Sequence, residues 1–138
     1  MYTPIHFKAQ ELVPPTSSAF LYGQELLDML FDEDILIIAD KLREKFGAMV
    51  ANTWNVGGAH QYRGWRPRNC AVGALNSKHK MGMAIDLIPA EISVNDLRDH
   101  IVARKGKLYD MPRITGIEMG VPWLHVDIGR KTFTTFGR

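Results

Sequence analysis

Two imidazoles and one carboxylate stand out in this chain by type and spacing. The stretch Ser77-Lys78-His79-Lys80-Met81-Gly82-Met83-Ala84-Ile85-Asp86-Leu87 joins a polar loop carrying His79 to an apolar run that delivers Asp86 seven residues later. Near the C-terminal end, Trp123-Leu124-His125-Val126-Asp127-Ile128 supplies a second His in a strand-like setting. Neutral imidazoles and a carboxylate are ligands that suit Zn²⁺. Three protein ligands leave a fourth position for water, whose pKa falls to about 7 on such an ion. The competing reading is a hydrogen-bonded His–Asp pair, and either segment taken alone favours it. The two segments together, with Gly82 as a hinge between loop and strand, favour a three-ligand metal site.

Strand alternation sharpens the pattern. Leu124, Val126 and Ile128 fall on one face of an extended segment, while Trp123, His125 and Asp127 fall on the other. The same alternation sets Asp86 opposite Met83, Ile85 and Leu87. A carboxylate in an apolar strand is costly to bury unless it is paired or binds a metal. His79, Asp86 and His125 are therefore expected to converge.

These residues need elements to hold them. Residues 1–18 read as an extended surface arm, because Pro14-Pro15-Thr16-Ser17-Ser18 forbids a helix there. A helix is expected over residues 20–30. A second follows Asp32, with Ile35, Ile38, Leu42 and Phe46 as its buried stripe and Gly47 as its stop. Residues 48–53 suit a short strand, and the run 83–88 suits a buried strand stopped by Pro89. Ser93 opens a helix with Asp96 at the capping-box position and Val94, Leu97 and Ile101 inward; it ends near Gly106. Residues 113–118 and 122–128 read as a hairpin around Met119-Gly120-Val121, followed by an exposed polar tail over 131–138. The loop 54–70 is too long for a simple connection, and its aromatics argue against disorder. Tyr62 and Trp65 in it, with Trp123, suit either a ligand platform or packing. His60, His100 and His6 read as surface residues.

The 138 residues suffice for one domain that buries about two thirds of its unfolded surface. With 46% hydrophobic and 23% charged residues the composition is that of an ordinary globular protein, so no separate domain or linker is needed. A net charge of +2 is too small to point to nucleic acid. The single Cys70 excludes an internal disulfide, and no CxxC pair suggests a structural zinc knuckle. The most apolar window, residues 20–39, is interrupted by Glu25, Asp28, Asp32, Glu33 and Asp34, which excludes a membrane span there. Met1-Tyr2-Thr3-Pro4-Ile5-His6 does not read as a signal peptide. The expectation is one α+β domain over residues 1–138, made in the cytoplasm, with no membrane insertion.

Ser77-x-His79-x-x-Gly82-x-Ala84-x-Asp86, followed by Trp123-x-His125-x-Asp127, resembles the zinc D-alanyl-D-alanine carboxypeptidase family of peptidoglycan peptidases. Phe7-Lys8-Ala9-Gln10-Glu11-Leu12 and Gly64-Trp65-Arg66 look most like its phage and prophage branch, and the resemblance covers roughly residues 5–130. It implies the hedgehog/DD-peptidase fold, a small antiparallel sheet with helices packed on one side. It further implies zinc on His79, Asp86 and His125, a peptidoglycan stem peptide as substrate, and Arg66 as the contact to its carboxylate or carbonyl. A phage protein of this kind would reach the cell wall after lysis-type release or as a virion component. Many members carry a carboxylate three residues before the last ligand, where this chain has Pro122. Glu118 is then the expected general base, with Asp127 as its rival or as the group that orients His125. The expected function is metal-dependent hydrolysis of a stem-peptide amide; the alternative is an inactive virion or wall-binding module that keeps the fold.

Overall fold

The computed structural model describes residues 2–15, 23–74 and 76–137. Among the described residues three α-helices, α1 (Glu25–Leu30), α2 (Glu33–Phe46) and α3 (Val94–Ala103), accompany five strands. The strands are β1 (Met49–Val50), β2 (Ala84–Pro89), β3 (Gly116–Met119), β4 (Leu124–Asp127) and β5 (Thr134–Gly137). They form one open sheet in the order β1-β2-β4-β3-β5. The molecule is thus a mixed α/β structure, compatible with the α+β class. Its sheet is not wholly antiparallel, since β5 runs parallel to β3.

Register sorts the strand residues into two faces. Ile85 lies opposite Val126 and Leu87 opposite Leu124, while Ala84 lies opposite Asp127 and Asp86 opposite His125. Ile117 pairs with Val126 and Gly116 with Asp127. Cross-strand partners point the same way, so Ile85, Leu87, Ile117, Leu124 and Val126 make an apolar face. Asp86, His125, Asp127 and Gly116 make the other. α2 packs on β2 and α3 on β4, and their buried residues Ile35, Ile38, Leu42, Leu97 and Ile101 complete the core with the apolar face.

The helices follow from their caps. Asp32 accepts from the Asp34 N–H at 2.9 Å to open α2, and Gly47, at φ 93°, closes it. Ser93 Oγ accepts from the Asp96 N–H at 3.0 Å to open α3. The helix expected over residues 20–30 is shorter in its described part, beginning at Glu25; residues 20–22 lie outside the described residues.

Two expected surface segments are structural. Within the 1–18 arm, of which residues 2–15 are described, Phe7, Ala9, Leu12 and Val13 are buried in the core. A fully buried carboxylate, Asp40 of α2, anchors this segment: it accepts from the Tyr2 hydroxyl and from the Ile5 and His6 N–H groups at 2.7 and 3.0 Å. The irregular spacing of the buried residues hides this from a periodicity reading. The 131–138 tail is likewise no loose polar end, because residues 134–137 extend the sheet as β5. The aromatics Phe133 and Phe136 within it are half-buried.

Among the described residues no helix is long and apolar enough to cross a membrane. Replacing Asp40 with Ala leaves three donors without their acceptor. The expected loss is about 2–3 kcal/mol of unfolding free energy in urea denaturation; an unchanged midpoint would contradict the anchoring role.

Candidate metal centre

His79 sits on a one-turn 3-10 helix, Lys78–Met81, capped by Ser77, whose hydroxyl accepts from the His79 N–H at 3.2 Å. Gly82 ends that turn at φ 68°, and a Cβ there would lie 1.9 Å from the Leu30 carbonyl oxygen. Only glycine combines that conformation with that approach. The chain then enters β2, which delivers Asp86 beside His125 of β4. His79, Asp86 and His125 are 2, 5 and 6% exposed. Their donor atoms lie within 4.8 Å of one another. Asp86 Oδ1 is 3.2 Å from His79 Nε2 and 2.9 Å from His125 Nδ1.

The outward atom of each residue is held from behind. His79 Nδ1 lies 2.8 Å from the Gly64 carbonyl, an acceptor only, so Nδ1 carries the proton in the neutral ring and Nε2 presents a lone pair. Nε2 is buried without a hydrogen-bond partner among the described residues. Asp86 Oδ2 accepts from Arg66 at 3.3 Å. His125 Nε2 donates to Asp127 Oδ2 at 2.9 Å. Asp127, fully buried, is gripped in turn by Arg130 at 2.8 and 2.9 Å. Backing of this kind fixes imidazole tautomer and orientation at metal sites.

Two acceptors facing each other at such distances require a cation between them. Atoms bonded to one zinc at about 2.0–2.2 Å in a tetrahedron lie roughly 3.3–3.6 Å apart, so the 3.2 and 2.9 Å separations around Asp86 Oδ1 would widen slightly on binding an ion. The donor set and the orphaned His79 Nε2 fit a divalent ion. Without one, a proton takes part of that role. Burial pushes His125 down, but the hydrogen bonds to Asp127 and Asp86 and their charges outweigh it and raise its pKa to about 9. Burial pushes Asp86 up, and the hydrogen bond from His125 with the positive charge on that ring prevails, holding it well below the usual carboxylate range. Asp127 is also held low, its burial outweighed by His125 and Arg130.

The remaining expected site residues fall around this cluster. A cavity of about 550 Å³ borders His79, Asp86 and His125, and Glu118, Arg130 and Phe136 line it too. Glu118 shares the face of Gly116 on β3, and its neighbour across the parallel pairing is Phe136. Asp127 has both oxygens engaged, by His125 and Arg130. Arg66 also lines the cavity, but its Nε donates to the Tyr62 carbonyl at 2.8 Å and its Nη2 to Asp86. Of the aromatics, Trp65 packs on the core, whereas Tyr62 and Trp123 line a smaller cavity next to the cluster. His60 is exposed on the rim of that cavity. His100 lies against the Phe46 ring and Arg104, and His6 lies 3.5 Å from Glu44.

Sequence reasoning missed three participants: Arg130, the Gly64 carbonyl and Phe136. The i,i+3 spacing of Asp127 and Arg130 was the available signal for the first. Gly116 makes room for that pair, since a Cβ there would meet Asp127 Oδ1 at 2.0 Å and Arg130 Nε at 2.5 Å. Phe136 packs edge-on to His125, with ring centroids 5.4 Å apart, and lies beneath the Arg130 guanidinium. Comparison with protein-family models, with curated proteins and with solved structures finds no match.

Three outcomes follow from this arrangement. Metal binding must expel the His125 Nδ1 proton, so the apparent zinc Kd should fall about tenfold per pH unit up to about pH 9 and then level off. A chelator-competition titration across that range checks it, and a flat profile would contradict it. In the ion-free protein the sign is opposite: the stability His125 contributes is complete below about pH 6.5 and is lost as pH rises through about 9. Replacing Arg130 with Gln should weaken zinc binding by about 10–100-fold, with partial recovery in Arg130→Lys. Equal affinities in all three proteins would show that Arg130 plays no part.

Proposed function

We propose that this chain is a zinc-dependent peptidase that hydrolyses an amide bond of the peptidoglycan stem peptide. We place it in the zinc D-alanyl-D-alanine carboxypeptidase family with the hedgehog/DD-peptidase fold. The observation that carries the reading is the buried trio His79, Asp86 and His125, whose donor atoms turn towards one another beside a cavity. The motif spacing that produces the trio is the one that resembles the family.

His79, Asp86 and His125 would hold the zinc. When bound there, zinc supplies a Lewis acid that acidifies water to a pKa near about 7 and polarises a carbonyl. The chain's own residues do the rest. Glu118, on the wall of the same cavity, takes the proton of the attacking water and passes it to the leaving amine. Arg66, fixed between Asp86 and the Tyr62 carbonyl, adds a preorganised positive charge near the carbonyl as negative charge develops. Asp127 and Arg130 keep the His125 ring in place. A phage or prophage origin, with release to the wall at lysis or carriage in a virion, belongs to the same reading.

Pro122 stands where many family members have their base, and this favours a second reading, an inactive wall-binding module that retains the fold. Glu118→Gln separates the two. If the peptidase reading holds, stem-peptide hydrolysis falls by about 10²–10⁴-fold while zinc content and unfolding midpoint stay as in the wild type. A wild-type protein that binds zinc and wall but cleaves no stem peptide would leave the module reading.

A further inference from the structure

Two cavities meet at the metal cluster. The larger, about 550 Å³, is walled by residues 72–74 and 76–79 and by β3, β4 and β5, through Asn76, Lys78, Glu118 and Phe136 among others. The smaller, about 310 Å³, is walled by the 59–63 segment, with His60, Tyr62 and Arg63. Arg66, Val72, Asp86 and Trp123 line both. The ligand Asp86 and its partner Arg66 therefore stand in the shared wall, with space bounded by different loops on each side.

We infer that the substrate is a peptide chain that continues on both sides of the scissile bond, so that the protein cuts internally and does not trim a chain end. This rests on the peptidase reading given above and selects within it. Removing one terminal residue requires a small closed pocket and a cation near the reacting carbonyl that is free to hold the terminal carboxylate. Here both guanidinium groups beside the cluster have two of their three nitrogens engaged, Arg66 by the Tyr62 carbonyl and Asp86 and Arg130 by Asp127, and Lys78 Nζ lies 3.5 Å from the Gly129 carbonyl. Even the smaller cavity, at about 310 Å³, reaches the lower end of the roughly 300–1,000 Å³ that takes a drug-sized molecule. That is room for more than one small residue. Tyr62 and Trp123 give it apolar surface with polar tips, and Arg63 lends it positive charge. Lys78 lends charge to the larger cavity. An anionic peptide laid across the Arg66–Asp86 wall would meet a basic side chain on either side.

The test uses the full zinc-loaded chain and two probes: a monomeric stem pentapeptide with a free C-terminus, and a cross-linked dimer of stem peptides. Isotope-labelled Glu118→Gln protein is first titrated with the dimer, and backbone amide shifts are followed by NMR. Expected is saturable movement of Gln61 and Tyr62 together with Asn76 and Phe136; movement confined to one of these pairs would overturn the inference. Wild-type protein then digests both probes, and products are weighed by mass spectrometry. Cleavage of an internal bond, leaving more than one residue on each fragment, is the expected result. Release of a single C-terminal residue alone would overturn the inference and leave the peptidase reading standing. No hydrolysis of either probe by protein that holds zinc would overturn both.

Discussion

Everything at the centre of this molecule depends on one electrostatic constraint. Asp86 Oδ1 lies between His79 Nε2 and His125 Nδ1 at 3.2 and 2.9 Å, and all three side chains are buried. A carboxylate and two imidazole lone pairs in such proximity repel one another unless positive charge sits among them. The protein does not relax this arrangement; it braces it. The Gly64 carbonyl holds one ring, Arg66 the carboxylate, and Asp127 with Arg130 the other ring. Three separate parts of the chain thus oppose the rotations that would relieve the repulsion.

The fold follows from where those braces originate. The β2–β4 pairing sets Asp86 opposite His125, and the helices on the apolar face keep that pairing in register. The Gly64 carbonyl arrives by another route. The segment before it is tied to the sheet by Asp86 N–H donating to the Arg63 carbonyl at 2.7 Å, and to the N-terminal segment by Trp65 N–H donating to the Leu12 carbonyl at 2.8 Å. Asn52, buried, links the same two segments: its amide donates to the Val13 carbonyl and its oxygen accepts from the Arg63 N–H. The N-terminal segment is therefore coupled to the centre through a short chain of backbone hydrogen bonds, and Asp40 holds its far end.

What the sequence made legible was local chemistry and regular periodicity. Two-residue alternation separated His125 and Asp127 from Leu124 and Val126, and the structure keeps that division. Ser93 and Asp32 announced their helices because a capping side chain acts within its own turn. What stayed hidden acts over long sequence distances or through the backbone. A carbonyl such as Gly64 has no side-chain signature. Phe7, Leu12 and Val13 are core residues in an irregular segment, with no period to betray them. β5 is short, with two consecutive threonines and no apolar alternation, and it takes its place only because β3 offers a free edge. Arg130 could be anticipated only once Asp127 was known to be buried.

Elemental analysis of the purified protein tests most directly whether the trio holds a divalent metal ion. Expected are about one zinc per chain in the wild type and none in a folded His79→Ala variant. Wild-type protein that stays free of metal after reconstitution would contradict metal binding, leaving His79, Asp86 and His125 as a protonated polar cluster.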